Sequence, residues 1–256
     1  MPDTWNERDF VPRAKMRWHE RNFPEQWERY RFATRWIGRG QRVLDIACGS
    51  GYGTHLLSTH TGGRGLGLDI ASEPIDWAKK NYGDTADFKV SSLELLATLR
   101  GQFDAVVSFE TLEHMSQSDG RIFLAALAGT LKPGGRLVLS TPLNESAERL
   151  HPANPFHVRE YSWLELEGAV AEKFSIERRF TQVSRLGRLR ELIGGETHGT
   201  ASTSASVVGS EARVAQSWRS ILAQRARSLP FWKRGTFVER AGLFGGVQVV
   251  VARCNG

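Results

Sequence analysis

The chain has 256 residues, of which 40% are hydrophobic and 24% charged, and its formal net charge is +6. This length suits one α/β domain with an added segment. Cys48 and Cys254 are the only cysteines, which argues against a disulfide framework, and no apolar run reaches the roughly 18 residues of a membrane span. We therefore expect a cytoplasmic protein with no transmembrane segment and no signal peptide.

Residues 1–40 predict a helical cap. Five aromatic side chains are interleaved with arginines in this region: Trp18, Phe23, Trp27, Tyr30 and Trp36. The pattern indicates an amphipathic layer that packs on the rest of the fold, and a lid over a bound ligand is the functional alternative.

Residues 43–54 predict a buried strand, a glycine turn and the start of a helix. Gly49, Gly51 and Gly53 permit positive φ and close approach of a ligand to the backbone. Their order is G-x-G-x-G, whereas a dinucleotide site has G-x-G-x-x-G. Asp45 precedes the first glycine by four residues, so its charge would repel a diphosphate and favour a ligand that carries an ammonium group. Asp69 ends the next predicted strand, where an acid can accept hydrogen bonds from ribose hydroxyls.

Strands are predicted at 64–69, 88–91, 103–109, 136–141, 174–180 and 246–252, with helices between them. Residues 132–135 predict a turn, Ser72 an N-cap, and Ser162 an N-cap that forms a capping box with Glu165. The fold prediction is α/β: a Rossmann-like, doubly wound, seven-stranded sheet, mostly parallel. Its core would comprise 41–180 and 246–256, and ligands would bind at the carboxyl ends of the strands.

Residues 181–245 predict a basic insertion before the last strand. Ten Lys/Arg and four Glu lie here and account for the whole net charge. Residues 194–210 are rich in Gly, Ser and Thr and are expected to be mobile, and 212–228 predict a basic helix. The local charge indicates phosphate groups on the substrate, and a solvated basic face is the alternative.

Four segments together resemble the class I S-adenosylmethionine-dependent methyltransferases: 43–54, 67–70, 103–115 and 131–142. The resemblance implies that S-adenosyl-L-methionine is the cofactor and S-adenosyl-L-homocysteine the product. It implies cofactor contacts from Tyr30, Asp45, Ala47, Cys48, Gly49, Gly51, Tyr52, Asp69, Ile70, Ser92, Leu93 and Phe109. Family members commonly carry an acid where Ser92 stands. Their N-terminal helix often closes over the methionine end, so Tyr30 or Arg31 would reach the cofactor carboxylate.

Segments 108–114 and 154–161 resemble a bacterial subgroup associated with the modification of sugars and cell-surface polysaccharides. A hydroxyl acceptor benefits from a general base. His114 is the first candidate, because histidine titrates near neutral pH, and His157 is the alternative. Glu110 and Glu113 are second candidates for the base, and the alternative is that a carboxylate there only orients His114. Substrate contacts are expected from Glu110, Arg159, Glu160 and Tyr161. The alternatives are a His114 that binds the cofactor or caps a helix, and a structural loop at 154–161.

The leading hypothesis is in-line methylation of a sugar hydroxyl, on a glycan or a nucleotide- or lipid-linked sugar, in polysaccharide biosynthesis. Another small molecule, a lipid or RNA would be alternative acceptors, and binding without catalysis is a third reading. The Asn/Asp-Pro-Pro-aromatic tetrapeptide of nucleic-acid amino methylases is missing, so no nucleic acid is expected. His151, His157 and Glu160 match no metal-ligand spacing, so no metal is expected. The expected partners are the small-molecule or glycan substrate and, as an open possibility, a second copy of the chain.

Overall fold

Eight strands form the central sheet of the protein in a computed structural model that describes residues 10–91, 93–152, 154–184, 235–239 and 246–255. The strands are β1 (Val43–Ile46), β2 (Leu66–Asp69), β3 (Asp87–Val90), β4 (Phe103–Phe109), β5 (Leu131–Leu143), β6 (Phe174–Ser184), β7 (Gly235–Glu239) and β8 (Gly246–Cys254). Their order is β3-β2-β1-β4-β5-β8-β6-β7.

The helices are α1 (Met16–Asn22), α2 (Pro24–Ala33), α3 (Tyr52–Thr61), α4 (Ser72–Tyr82), α5 (Leu93–Thr98), α6 (Gln117–Thr130) and α7 (Trp163–Ala171). Short 3₁₀ turns lie at Arg13–Lys15, Leu112–His114 and Ala147–Leu150. Among the described residues, no helix has both the length and the apolar character needed to cross a bilayer.

The sheet is parallel from β3 through β5, and β8, β6 and β7 then continue it in antiparallel pairs. The chain leaves β1 for β2 on one side and later returns to β4 on the other, so the strand order reverses between β1 and β4. A crevice forms outside the carboxyl ends of the strands at such a reversal. Asp45, Asp69 and Glu110, at or just after the ends of β1, β2 and β4, lie at this edge.

Each face of the sheet carries its own apolar cluster. Strand residues alternate between the two, as Leu137 and Leu139 face one cluster and Val138 the other. Helices α5, α6 and α7 cover the first face. Helices α3 and α4 cover the second together with α2, which contributes Trp27 and Tyr30. The doubly wound α/β prediction is confirmed.

Three details differ from the sequence prediction. All seven expected strands are present, and β7 is an eighth at the sheet edge, so residues 181–184 and 235–239 of the predicted insertion lie in the sheet. β5 begins at Leu131 and includes the predicted turn at 132–135, where the pairing with β4 shifts register. The Ser72 cap is wrong, because Ala71 is the N-cap residue of α4. The capping box of Ser162 and Glu165 is present.

The predicted mobile stretch at 194–210 and the basic helix at 212–228 lie outside the described residues. The division into a cap at 1–40, a core and an insertion at 181–245 stays a prediction.

Candidate active site

The loop between β1 and α3 takes the form that its glycines permit. Gly49 and Gly51 have φ values of +53° and +83°, and Ala47 shares the left-handed region at +59°. Apart from chain neighbours, no described atom lies within 4 Å of the Cβ position of Gly49, so a ligand can approach the backbone there. A Cβ on Gly51 would lie 2.6 Å from the Cβ of Ala78. The loop therefore packs on α4 and leaves Gly49 open.

Asp45 lies beneath this loop and is 1% exposed. Its Oδ2 accepts a 2.6 Å hydrogen bond from the Thr54 hydroxyl, and its Oδ1 accepts a longer one, 3.4 Å, from the hydroxyl of Tyr30. Burial raises the pKa of Asp45 to about 7, and although both hydrogen bonds oppose this shift, the nearby Asp69 adds to it. A cation that binds beside this carboxyl group would therefore stabilise its ionised form, which burial disfavours.

Asp69, at the end of β2, supports the loop from the neighbouring strand. Its Oδ2 accepts from the backbone N–H of Gly49 and its Oδ1 from that of Ala71, both at 3.0 Å. The next residue, Ile70, has 80% of its surface exposed and offers an apolar face beside the carboxylate. Ser92 lies outside the described residues, as does the side chain of Leu93. Their expected adenine contacts stay predictions.

Helix α2 lies directly on the glycine loop. The ring of Tyr30 fills the space that a Cβ on Gly53 would need, with its Cζ only 1.9 Å from that position. Gly53 does not have positive φ, so it makes room for the cap and not for a ligand. Tyr52 adds a 2.8 Å hydrogen bond from its hydroxyl to Gln26 Oε1. The Tyr30 ring also meets Phe109 edge-on, which joins the cap to the end of β4.

The two arginines that flank Tyr30 on α2 have different partners. Arg31 forms a 2.6 Å ion pair with Glu20 and is 57% exposed. Arg29 Nη1 donates to Gln182 Oε1 at 2.9 Å. Burial raises the pKa of both Tyr30 and Glu113, and the Arg29 charge opposes both shifts. Arg29 is therefore the cation of α2 whose charge acts on buried groups of the site, and the expectation that Tyr30 or Arg31 reaches the cofactor carboxylate stays a prediction.

Two glutamates follow β4. Glu110 has a φ of +50°, which is unfavourable for a residue with a Cβ, and its Oε1 accepts from Ser140 Oγ at 2.7 Å. Glu113 is 1% exposed, and its Oε2 accepts from Thr141 Oγ1 at 2.8 Å. The pKa of Glu113 is well above its ordinary value, mainly because the group is buried and secondly because the charge of Glu110 lies nearby. Burial therefore favours the protonated form of Glu113.

His114 lies at the surface of the same loop. Its Nδ1 is 2.9 Å from the backbone oxygen of Phe156. A carbonyl oxygen can only accept, so Nδ1 carries the proton and donates. In the neutral ring the basic lone pair is then on Nε2. Such an orienting bond is the arrangement that a general base needs.

Both ring nitrogens of His157 form hydrogen bonds with side chains of its own segment, residues 154–160. Phe156 N donates to Asn154 Oδ1, so the Asn154 amide nitrogen faces His157 Nε2, 2.9 Å away, and donates to it. His157 Nδ1 therefore carries the proton and donates to Glu160 Oε1 at 2.9 Å. Glu160 Oε2 in turn accepts from Asn144. This network shapes the 154–160 loop and occupies the lone pair that a base would use.

The two segments that carry the predicted catalytic residues are in contact. The backbone oxygen of Glu113 accepts from the N–H groups of Val158 and Arg159, at 2.7 and 3.2 Å. The Arg159 side chain pairs with Glu165 and stacks over the ring of Tyr161 at 4.7 Å. Tyr161 itself is 2% exposed and belongs to the core. The substrate contacts expected of these residues stay predictions, although both side chains pack within the protein.

One cluster among the described residues has the composition of a metal site. Ligand atoms of Glu113, His114 and His157 lie within 4.8 Å of one another. The group weighed as a metal site in the sequence analysis was a different one, His151, His157 and Glu160. Both nitrogens of His157 and the Oε2 of Glu113 already have hydrogen-bond partners. The prediction that the protein binds no metal remains.

Part of the chain matches a known family of proteins. Residues 43–135 match a family model described as a methyltransferase domain. A probable S-adenosylmethionine-dependent methyltransferase from Mycolicibacterium smegmatis is 34% identical over 129 residues, which cover 50% of this chain and 49% of that protein. A ubiquinone biosynthesis O-methyltransferase from Dechloromonas aromatica is 39% identical over 109 residues, covering 40% and 44%. The chain thus spans about half the length of the curated relatives it matches.

Solved structures share the fold at low identity. A methyltransferase from Archaeoglobus fulgidus superposes with a TM-score of 0.55 and 19% identity, over 91% of this chain and 97% of that one. The cyclase SpnF gives 0.58 and 17%, over 90% and 81%. The fold therefore does not specify the reaction. Residues 43–135 thus match a methyltransferase domain, and the chain is similar to S-adenosylmethionine-dependent methyltransferases over about half its length.

Proposed function

We propose that this protein transfers a methyl group from S-adenosylmethionine to a hydroxyl oxygen of a small molecule. The single observation that carries the proposal is the hydrogen bond from His114 Nδ1 to Phe156 O, which puts the basic lone pair on Nε2 at the carboxyl edge of the sheet. A base is useful for a hydroxyl acceptor, which must lose its proton as it reacts.

The residues at the edge of the sheet fit this cofactor. A buried Asp45 beneath an open Gly49 suits an ammonium group, and Asp69 suits ribose hydroxyls. Arg29 would hold the adjacent carboxylate, since its charge acts on the same region. Ile70 would pack against the apolar face of the adenine ring of the cofactor. When bound, the cofactor supplies an already activated methyl group on a sulfonium.

The protein's own contribution is alignment and proton removal. Holding acceptor and methyl group in line can supply roughly 7–11 kcal/mol, without any covalent intermediate. His114 Nε2 takes the hydroxyl proton. Glu113 is buried and its Oε2 already accepts from Thr141, so its part is to hold Thr141 and, through its backbone oxygen, the 158–159 segment. His157 keeps that segment in shape.

For the acceptor we propose a sugar hydroxyl first. The resemblance of 108–114 and 154–161 to sugar-modifying proteins supports it, and the basic 181–245 segment would meet phosphates of a linked sugar. A phenolic or lipid-linked hydroxyl is the second candidate, because curated relatives are named ubiquinone biosynthesis O-methyltransferases. In either case, residues 1–40 serve as a lid over the cofactor.

Incubation of the protein with S-adenosylmethionine and a panel of sugars, nucleotide sugars and phenols, followed by mass spectrometry, tests this function. His114→Ala should lower kcat by about 100- to 10,000-fold. His157→Ala should lower it through disorder of the loop, with recovery in His157→Gln. His60→Ala is the control, since His60 bonds the Ile37 carbonyl away from the site. Full activity of His114→Ala would overturn the assignment of the base.

A further inference from the structure

A row of three fully buried polar side chains crosses the sheet near its carboxyl edge. Thr141 of β5 is paired directly with Gln248 of β8, and Gln248 with Thr181 of β6. All three are 0% exposed. Side chains at directly paired positions point to the same face, and adjacent strands are about 5 Å apart. The row therefore runs about 10 Å from Thr141 to Thr181.

One end of the row is tied to the reaction centre. Thr141 Oγ1 donates to Glu113 Oε2 at 2.8 Å, and Glu113 precedes the proposed base, His114. The next position along the row, Gln248, is thus one strand spacing away from a residue that contacts the catalytic loop.

At the other end of the row, two buried oxygen atoms have no hydrogen-bond partner among the described residues. Gln248 Nε2 donates to the backbone oxygens of Tyr161 and Pro142, at 2.6 and 3.2 Å, which fixes the amide and turns Oε1 away from them. Within the described residues, neither Gln248 Oε1 nor Thr181 Oγ1 has a hydrogen-bond partner. Buried polar atoms are nearly always paired, so two neighbouring exceptions call for a ligand or a water.

A buried donor lies on the helix that covers the same strands. Trp163, the first residue of α7, is 6% exposed, and its Nε1 likewise has no partner in the described chain. Helix α7 packs on β6, where Glu167 and Arg179 form an ion pair. The sheet thus offers an amide oxygen and a hydroxyl, and the covering helix offers an N–H, with no charged side chain in the row.

We propose that Gln248 and Thr181, together with Trp163, bind a second hydroxyl of the acceptor. A hydroxyl can donate to Gln248 Oε1 while it accepts from Thr181 or Trp163, whereas a carboxylate or phosphate cannot donate and would be buried uncompensated. The acceptor is therefore a neutral diol or polyol in the part that enters the site. This inference rests on the proposed function for the hydroxyl that reacts.

Thr181→Val tests the site cleanly, because it keeps the shape of the side chain and breaks no hydrogen bond of the described chain. The probes are catechol and methyl α-glucoside, with phenol as a probe that has one hydroxyl, each titrated into protein saturated with S-adenosylhomocysteine. At least one of the two polyols should bind the wild type, and Thr181→Val should bind it about tenfold more weakly. Phenol binding should not change, and Thr181→Ser should restore the polyol affinity.

Thermal unfolding of the ligand-free variants separates a ligand site from a structural water. Thr181→Val should unfold at the same or a higher temperature than the wild type. The control Thr130→Val should unfold at a lower one, because the equally buried Thr130 hydroxyl is bonded to Leu127 O. A clear destabilisation by Thr181→Val would identify a bound water and overturn the proposal. So would equal polyol affinity in both proteins, or no polyol binding by the wild type.

The same experiment keeps the two proposals apart. A wild type that binds a polyol through Thr181 but transfers no methyl group to it overturns the proposed reaction and leaves the site. A wild type that methylates a polyol with a KM that Thr181→Val does not change overturns the site and leaves the reaction.

Discussion

Replacement of Asp45 by Asn should stabilise the cofactor-free protein at alkaline pH. The buried carboxyl has a pKa of about 7 in the folded chain, against 3.8 for an ordinary aspartate. A raised folded pKa means that the side chain's contribution to stability is fully present below the unfolded pKa and is lost as pH rises through 7. Well above pH 7, ionisation in the folded state costs roughly 4 kcal/mol. Asparagine avoids this cost and can still accept from Thr54.

The difference in stability between Asp45→Asn and the wild type should therefore grow with pH. Part of the cost is already present at pH 5, so the gain between pH 5 and 8.5 is about 3 kcal/mol, or roughly 6–12 °C in Tm for a chain of this size. Calorimetric unfolding at both pH values measures it, and titration with S-adenosylmethionine should show that the same variant has lost affinity.

Asp104→Asn is the matched control. Partial burial would raise the pKa of Asp104, but hydrogen bonds from Lys132 and the Arg42 backbone bring it below its ordinary value. Its replacement should therefore destabilise the protein by about the same amount at pH 5 and 8.5, because both values lie above its pKa and its contribution is lost only in more acid solution. A Tm difference between Asp45→Asn and the wild type that is the same at pH 5 and 8.5 would refute the reasoning.

Three further predictions concern the cofactor site. Affinity for S-adenosylmethionine should fall roughly 30-fold from pH 8 to 5.5, because Asp45 must ionise to hold an ammonium; a constant Kd by calorimetry would contradict this. Gly53→Ala should lower stability to urea by about 1–3 kcal/mol and weaken cofactor binding, because its Cβ meets the ring of Tyr30, whereas Gly129→Ala, in open space on α6, should be neutral or stabilising. Methyl transfer should survive EDTA, since Glu113 Oε2 and both ring nitrogens of His157 already have hydrogen-bond partners; lost activity that Mg²⁺ restores would show a metal site.

The fold and the conformation of the glycine loop could be predicted because their signals are local. Alternating apolar residues define the strands, and the carboxyl ends of parallel strands necessarily meet at one edge. Asp45 and Asp69 therefore come together in the structure as the pattern predicts. The contact between 108–114 and 154–161 follows from the same geometry, because both segments leave this edge.

Some side chains are positioned by the register between strands that are distant in sequence, and their positions could not be predicted. Arg29 and Arg31 flank Tyr30 symmetrically along α2, so helical periodicity does not distinguish them, and only packing against β6 turns Arg29 inward. Thr181 lies one residue beyond the predicted end of its strand, and its pairing with Gln248 depends on a bulge between Ile176 and Arg178. The eighth strand, β7, likewise joins the sheet only through its register with β6.

The apolar cluster beneath α2 also determines where the folding unit begins. Val11, Trp27, Phe32 and Ala33 are almost completely shielded from solvent by the sheet and its helices. A chain shortened to the region of family similarity, 43–135, would uncover that surface and lose the strands that complete the sheet. The segment that is similar to the family is thus shorter than the segment that can fold by itself. A chain cut to the shorter segment would be expected to aggregate.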